Sequence, residues 1–146
     1  MERIRRAIFV PMPMTGGCAC GALRWRAEGE PLTVGLCHCR TCQRVSGSGH
    51  VGFITFLDGA VTVTGETRAT RRTGGSGRIA SRFSCPACNS TVYGTAEVIE
   101  GMVNLYAGSL DDPSQFKPTI AIFVSERPPW DDVSRDLQCF ETVPSS

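Results

Sequence analysis

Apolar and polar residues alternate in short runs along most of the chain, the period of half-buried strands rather than of helices. Ala22–Ala27 (Ala-Leu-Arg-Trp-Arg-Ala) alternates over its whole length and predicts a strand. His50–Leu57 is rich in β-branched and aromatic residues and predicts a second, ending at Asp58-Gly59. That dipeptide is a hairpin signal, so Ala60–Thr64 is expected as the return strand. Further strands are expected at Arg78–Ser84, Met102–Ala107 and Thr119–Val124. Long helical periodicity is absent, and only Asp112-Pro113-Ser114-Gln115-Phe116 predicts a helical turn, with Asp112 capping and Pro113 in the first helical position. The fold class is mainly β.

Two segments, Ser46-Gly47-Ser48-Gly49 and Thr73-Gly74-Gly75-Ser76-Gly77, are too rich in glycine for regular strands and read as connecting loops. Neither carries the glycine pattern of a phosphate-binding loop set between a strand and a helix. The chain has 146 residues, enough for one domain, expected over 15–146 after an extension over 1–14. That extension starts with basic residues but has only four apolar ones, Ala7–Val10, before Pro11, where a secretory leader needs roughly 7–15. No run approaches the roughly 18 apolar residues of a membrane helix. A cytoplasmic protein with reduced thiols is therefore expected. A net charge of +1 argues against a nucleic-acid partner, whose phosphates need accumulated Lys and Arg.

Against this background the 8 cysteines stand out. Seven of them fall into three clusters: Cys18-Ala19-Cys20, Cys37-His38-Cys39-Arg40-Thr41-Cys42 and Cys85-Pro86-Ala87-Cys88. The last is a zinc-knuckle spacing followed by Asn89, which tolerates the left-handed conformation such turns require. A knuckle supplies two ligands and a structural zinc takes four, so Cys18 and Cys20 are the natural partners of Cys85 and Cys88. Cys37, Cys39 and Cys42 then remain as three ligands from one short loop. Three protein ligands leave a tetrahedral position open, as in catalytic zinc sites. Three thiolates make the ion a weak Lewis acid, better suited to a sulfur substrate than to activating water. Two other readings stay open: a second structural zinc completed by His38, His50 or Cys139, and a thiol redox pair. His38 is disfavoured as a ligand because neighbours along an extended segment point to opposite sides. Cys139 reads as an uninvolved thiol, since free cysteine behaves as a small hydrophobe.

Taken together, Gly16-Gly17-Cys18-Ala19-Cys20-Gly21, Cys37-His38-Cys39-Arg40-Thr41-Cys42-Gln43, Ser46-Gly47-Ser48, Gly77-Arg78 and Arg82-Phe83 with Cys85–Cys88 resemble the glutathione-dependent formaldehyde-activating family, which includes the centromere protein V domain. Ala107–Pro113, Pro118 and Pro129-Trp130 extend the resemblance to about Phe140. It implies a β-tent fold of twisted antiparallel sheets around a zinc held by Cys18, Cys20, Cys85 and Cys88. It also implies a second zinc, at the active centre, held by Cys37, Cys39 and Cys42; partial occupancy is expected there because thiolates from one short loop oxidise readily once the metal leaves. The implied activity is that of a carbon–sulfur lyase joining glutathione, or a similar thiol, to formaldehyde, or a similar aldehyde, and cleaving the adduct. Asn89 departs from the family's usual glycine.

Glutathione carries two carboxylates, which a guanidinium fork matches. Arg40 and Arg44 flank the Cys37 loop and are the expected binding residues; Arg71, Arg72, Arg78 and Arg82 lie around the second glycine-rich loop. Tyr93, Tyr106 and Trp130 are expected to pack, and no side chain presents itself as a general base. The rival functions are a non-catalytic zinc module binding a protein or nucleic acid, and a thiol redox or metal sensor.

Overall fold

The computed structural model describes residues 13–144, so the expected extension over 1–14 lies outside the described residues except for Pro13 and Met14. Among the described residues the chain forms eleven short strands, one short α-helix and several 3₁₀ turns. Strands β1 (Met14–Gly17), β2 (Arg24–Ala27) and β5 (Val61–Thr64) form a three-stranded antiparallel sheet in the order β1-β2-β5. The other strands are β3 (Thr33–Cys37), β4 (Val51–Leu57), β6 (Arg68–Thr73), β7 (Ile79–Ser84), β8 (Thr91–Ala96), β9 (Met102–Tyr106), β10 (Ile120–Ile122) and β11 (Gln138–Cys139). They build one sheet in the order β11-β10-β3-β4-β9-β8-β7-β6. It is antiparallel except where β10 runs parallel to β3 and to β11. Helix α1 (Arg40–Ser46) leaves the end of β3.

The expected hairpin at Asp58-Gly59 does not form. Residues Asp58–Ala60 make a 3₁₀ turn that carries the chain out of the large sheet and into the small one. β4 pairs with β3 and β9, while β5 pairs with β2. The dipeptide signals a tight change of direction, and the apolar faces on either side then choose partners more distant in sequence. Helix α1 was also not expected. It has seven residues and only Val45 as an aliphatic, too few for a helical period to register. The Asp112 cap behaves as read: its carboxylate accepts from the Ser114 backbone N–H at 3.0 Å at the head of the Pro113–Gln115 turn.

The large sheet has two working faces. Ile54, Phe56, Val92, Val103 and Leu105 pack against Leu23, Trp25 and Ala27 of the small sheet, forming the main core. Phe53, one position away on β4, turns to the opposite face and meets Phe123, Cys37, Cys39 and Cys42. Side-chain alternation along β4 thus separates the two groups of cysteines, because Cys18 and Cys85 belong to the main core. Trp25 anchors the small sheet, its Nε1 donating to Ser109 Oγ at 2.9 Å, and Gly16 lies flat against its ring.

A Cβ at position 16 would stand 2.2 Å from the Ser109 carbonyl and 2.5 Å from the Trp25 ring, whereas one at Gly59 would meet nothing. Gly16→Ala should lower stability in urea denaturation by about 1–3 kcal/mol, the usual range for overpacking. Gly59→Ala should stay within about 0.5 kcal/mol of the parent.

Candidate metal and thiol centre

All eight cysteines are free thiols, and two groups of them converge. Cys18 and Cys20 lie in the turn joining β1 to β2, held by the Cys18 N–H to Leu23 carbonyl bond at 2.9 Å. Cys85 and Cys88 lie in the turn between β7 and β8, where the Asn89 N–H donates to the Cys85 carbonyl at 2.8 Å. Asn89 has φ +63°, the left-handed conformation expected of it. Ser90 ties the two turns together by accepting from the Ala19 N–H at 3.0 Å.

The chemistry of the donor set can be tested on its spacing. Four sulfurs at about 2.3 Å from a tetrahedral zinc lie about 3.8 Å apart. Cys18 and Cys20 Sγ are 3.6 Å apart, and Cys20 and Cys85 Sγ 3.7 Å. A disulfide would bring a pair to about 2.05 Å. The four fit a tetrahedral ion and do not fit a crosslink.

The second group forms where β3 runs into α1. Cys37 closes the strand, Cys39 caps the helix with its Sγ accepting from the Cys42 N–H at 3.3 Å, and Cys42 sits one turn on. All three are buried, with sulfurs within 4.8 Å of one another. Hydrogen bonds from the Cys37 and Cys42 thiols, helped by the backbone N–H groups of Cys42 and Gly75, pull the Cys39 thiol down to about 2. The same bonding to Cys39 and Cys42, together with burial, pushes Cys37 up.

Among the described residues no fourth His, Cys, Asp or Glu joins this group. His38 is fully buried and points away, its Nδ1 donating to the Gly49 carbonyl at 3.0 Å. Burial holds its imidazole below the usual value, so it is neutral, and its Nε2 is buried without a partner. With His50 and Asp131 it forms a third group, in which His50 Nδ1 lies 2.7 Å from Asp131 Oδ2. Cys139 stands apart, exposed on β11 with its thiol donating to the Ser134 and Leu137 carbonyls, and so is not packed as a small hydrophobe.

The second glycine-rich segment is more than a connector. Its residue Gly75 lies on Cys39, and a Cβ there would stand 2.8 Å from Cys39 Cβ. Ser46 of the first ends helix α1, and Gly47 takes the left-handed cap at φ +69°. Arg40 and Arg44 are both exposed on the helix; Arg40 Nη1 donates to Gln43 Oε1, while Arg44 forms no ion pair among the described residues. Arg71 and Arg78 instead border a separate cavity of about 450 Å³ together with Glu97 and Glu100.

Three residues of the site had no sequence signal of their own. Buried Gln43 donates from Nε2 to the carbonyls of His38 at 2.7 Å and Glu126 at 2.8 Å, fastening the cysteine loop to the segment after β10. Asp131 holds the two histidines. Tyr106, pushed up to about 12 by burial, reaches over Gly94, where a Cβ would stand 2.3 Å from its hydroxyl. The cross-strand register Arg82↔Gly94 and Gly94↔Asn104 explains the contact: the missing side chain at 94 opens a path from Tyr106 to Arg82.

A family model described as glutathione-dependent formaldehyde-activating enzyme matches residues 13–126, most of the chain. No curated protein matches the chain.

Replacing Gln43 by Met leaves one buried and one half-buried carbonyl without their donor. Gln43→Met should cost about 1–3 kcal/mol of stability in urea denaturation. Hydrogen exchange should increase in residues 38–46 ahead of the sheet interior.

Proposed function

We propose, from the premise that this chain belongs to the glutathione-dependent formaldehyde-activating family, that it joins a thiol to an aldehyde and cleaves the adduct at the Cys37–Cys39–Cys42 group. The observation that carries the reading is that group itself: three buried sulfurs with no fourth protein ligand among the described residues. The preferred thiol is glutathione and the preferred aldehyde formaldehyde, which makes the protein a carbon–sulfur lyase. Zinc is the metal that both donor sets favour, one structural ion at Cys18, Cys20, Cys85 and Cys88 and one at the active centre. On this reading the two sheets meeting at the four-cysteine group are a β-tent, and residues 15–146 are its single domain. A reducing compartment, the cytoplasm, suits eight free thiols. No helix among the described residues is long and apolar enough to cross a membrane.

The reaction is an addition across a carbonyl. The sulfur lone pair forms the S–C bond, the C=O π pair moves to oxygen, and the proton lost by the thiol ends on that oxygen; cleavage reverses each movement. What a bound zinc supplies is Lewis acidity, which makes a thiol in its fourth position a stronger acid. The protein's own residues position and exclude. Phe53, Phe123 and the Gly75 turn pack around the sulfurs and keep bulk water from them. The guanidinium groups of Arg40 and Arg44 stand exposed on the helix that bears Cys42, where the carboxylates of the thiol can be met. A cavity of about 310 Å³ beside the same helix, bordered by Val45, Ser46, His50, Thr91 and Tyr106, offers room for part of a peptide thiol. Nucleic acid is not a partner on this reading.

Calorimetric titration of the zinc-loaded protein with glutathione should saturate, and the affinity should fall by about 10–100-fold in Arg44→Ala, the loss of a charge-assisted hydrogen bond. A zinc-loaded protein that gives no heat with glutathione and leaves adduct formation at its uncatalysed rate would sink the proposal.

The two cysteine groups should also separate by variant. Cys39→Ala should stay folded and lose one of its two metal ions, since its ligands close only a short loop. Cys85→Ala should lose the cooperative thermal transition, because its ligands join distant segments. Metal analysis with a melting curve reads both; a Cys39→Ala protein that unfolds like Cys85→Ala makes the second centre structural.

A further inference from the structure

Arg82 is a buried cation without a carboxylate. It sits on β7 with 7% of its surface exposed, and its Nε and Nη1 have no hydrogen-bond partner. Among the described residues no Asp or Glu forms an ion pair with it. Its neighbours are the Tyr106 hydroxyl and Cys42, whose Sγ lies 3.7 Å from Nη2. Tyr106 stays protonated at neutral pH and brings no charge. A guanidinium is always protonated and costs several kcal/mol to bury alone, on the order of what an unpaired interior ion loses in solvation. The neighbouring groups that can answer it are the thiols of the Cys37 group.

The charge count then acquires a meaning. Three thiolates around a divalent ion leave one net negative charge, which the single cation beside them cancels. An anionic thiolate entering the fourth position raises the local charge to one negative instead of two. We infer that Arg82 is the counter-ion of the three-cysteine centre and sets its preference for an anionic sulfur ligand over a neutral one. The inference rests on the reading that Cys37, Cys39 and Cys42 hold a metal and accept a thiol. Arg82 acts through Cys42 and the bound ligand's charge, which makes it a positioning residue. Gly94 belongs to the same device, because its missing side chain lets Tyr106 close the space around the guanidinium and keep the electrostatic field unscreened.

The test compares two ligands at one position. Protein loaded with cobalt(II) in place of zinc is titrated with glutathione and, separately, with imidazole, and both are followed by the cobalt absorption bands. Arg82→Met should weaken glutathione by about 10–100-fold, the range found when an outer partner of a metal ligand is removed. Imidazole, being neutral, should bind as in the parent. Arg82→Gln keeps the donors without the charge and should show the same selective loss, which also serves if the Met variant fails to fold. Arg82→Lys keeps the charge as a point and should recover most of the glutathione affinity. Equal losses for both ligands, or no loss for either, overturn the inference while leaving the thiol reading in place. A parent protein that does not bind glutathione at all overturns both.

Discussion

The convergence of Cys18, Cys20, Cys85 and Cys88 is the contact on which the arrangement of the two sheets depends. The first pair lies in the β1–β2 turn of the small sheet and the second in the β7–β8 turn of the large sheet, and Cys20 and Cys85 are 65 positions apart in the chain. A crosslink closing a loop of that length restricts the unfolded chain by about 4 kcal/mol on the chain-entropy estimate. That is a large share of a small domain's net stability. Among the described residues the interior it organises holds several large apolar side chains, Leu23, Ile54, Phe56, Val92 and Leu105 among those fully buried, and these need both sheets in place to be covered. The turn geometry serves the same end. Asn89 in the left-handed region and Ser90 bridging to Ala19 hold the two turns where the sulfurs lie at tetrahedral spacing.

The second group follows from the first by alternation along a strand. Once Ile54 and Phe56 face the core, Phe53 must face away, and its register partner Tyr106 faces the same way. Cys37, opposite Val51, lands on that outer face. The sheet therefore acts as a wall with the four-cysteine group on one side and the three-cysteine group on the other. Covering this outer face falls to α1, the Gly75 turn and Phe123.

Much of this was legible in the chain. The C-x-C, C-H-C-x-x-C and C-x-x-C spacings sorted the seven cysteines into the groups that the structure brings together, because ligand spacing is a local property. The alternating run of β2 and the β-branched and aromatic run of β4 marked strands for the same reason. What failed was pairing. Asp58-Gly59 reads as a hairpin turn, yet the strands on either side belong to different sheets. A dipeptide can fix a reversal but cannot say which edges are vacant. Helix α1 escaped because two turns rich in polar residues leave no apolar stripe. Gln43, Tyr106 and Asp131 were invisible as site residues because each makes a contact far along the sequence, Gln43 to Glu126 at a separation of 83 and Asp131 to His50 at 81.

The buried arginine shows how the two levels join. In the sequence Arg82 is one of several basic residues near a glycine-rich loop, and nothing separates it from Arg71 or Arg78. In the fold its neighbours part company: Arg78 finds Glu97 at the surface, with Nε and Oε2 3.6 Å apart, while Arg82 turns inward to Cys42. The difference is the strand boundary, since Arg82 lies within β7 (Ile79–Ser84), whose pleat orients it, and Arg78 lies just before it. A cation placed where only thiols can answer it makes ionised sulfur the stable partner. Ionised sulfur in a buried triad in turn calls for a divalent ion. Burial, charge and ligand count thus point to one chemistry at the outer face, reached from the contacts of a single side chain.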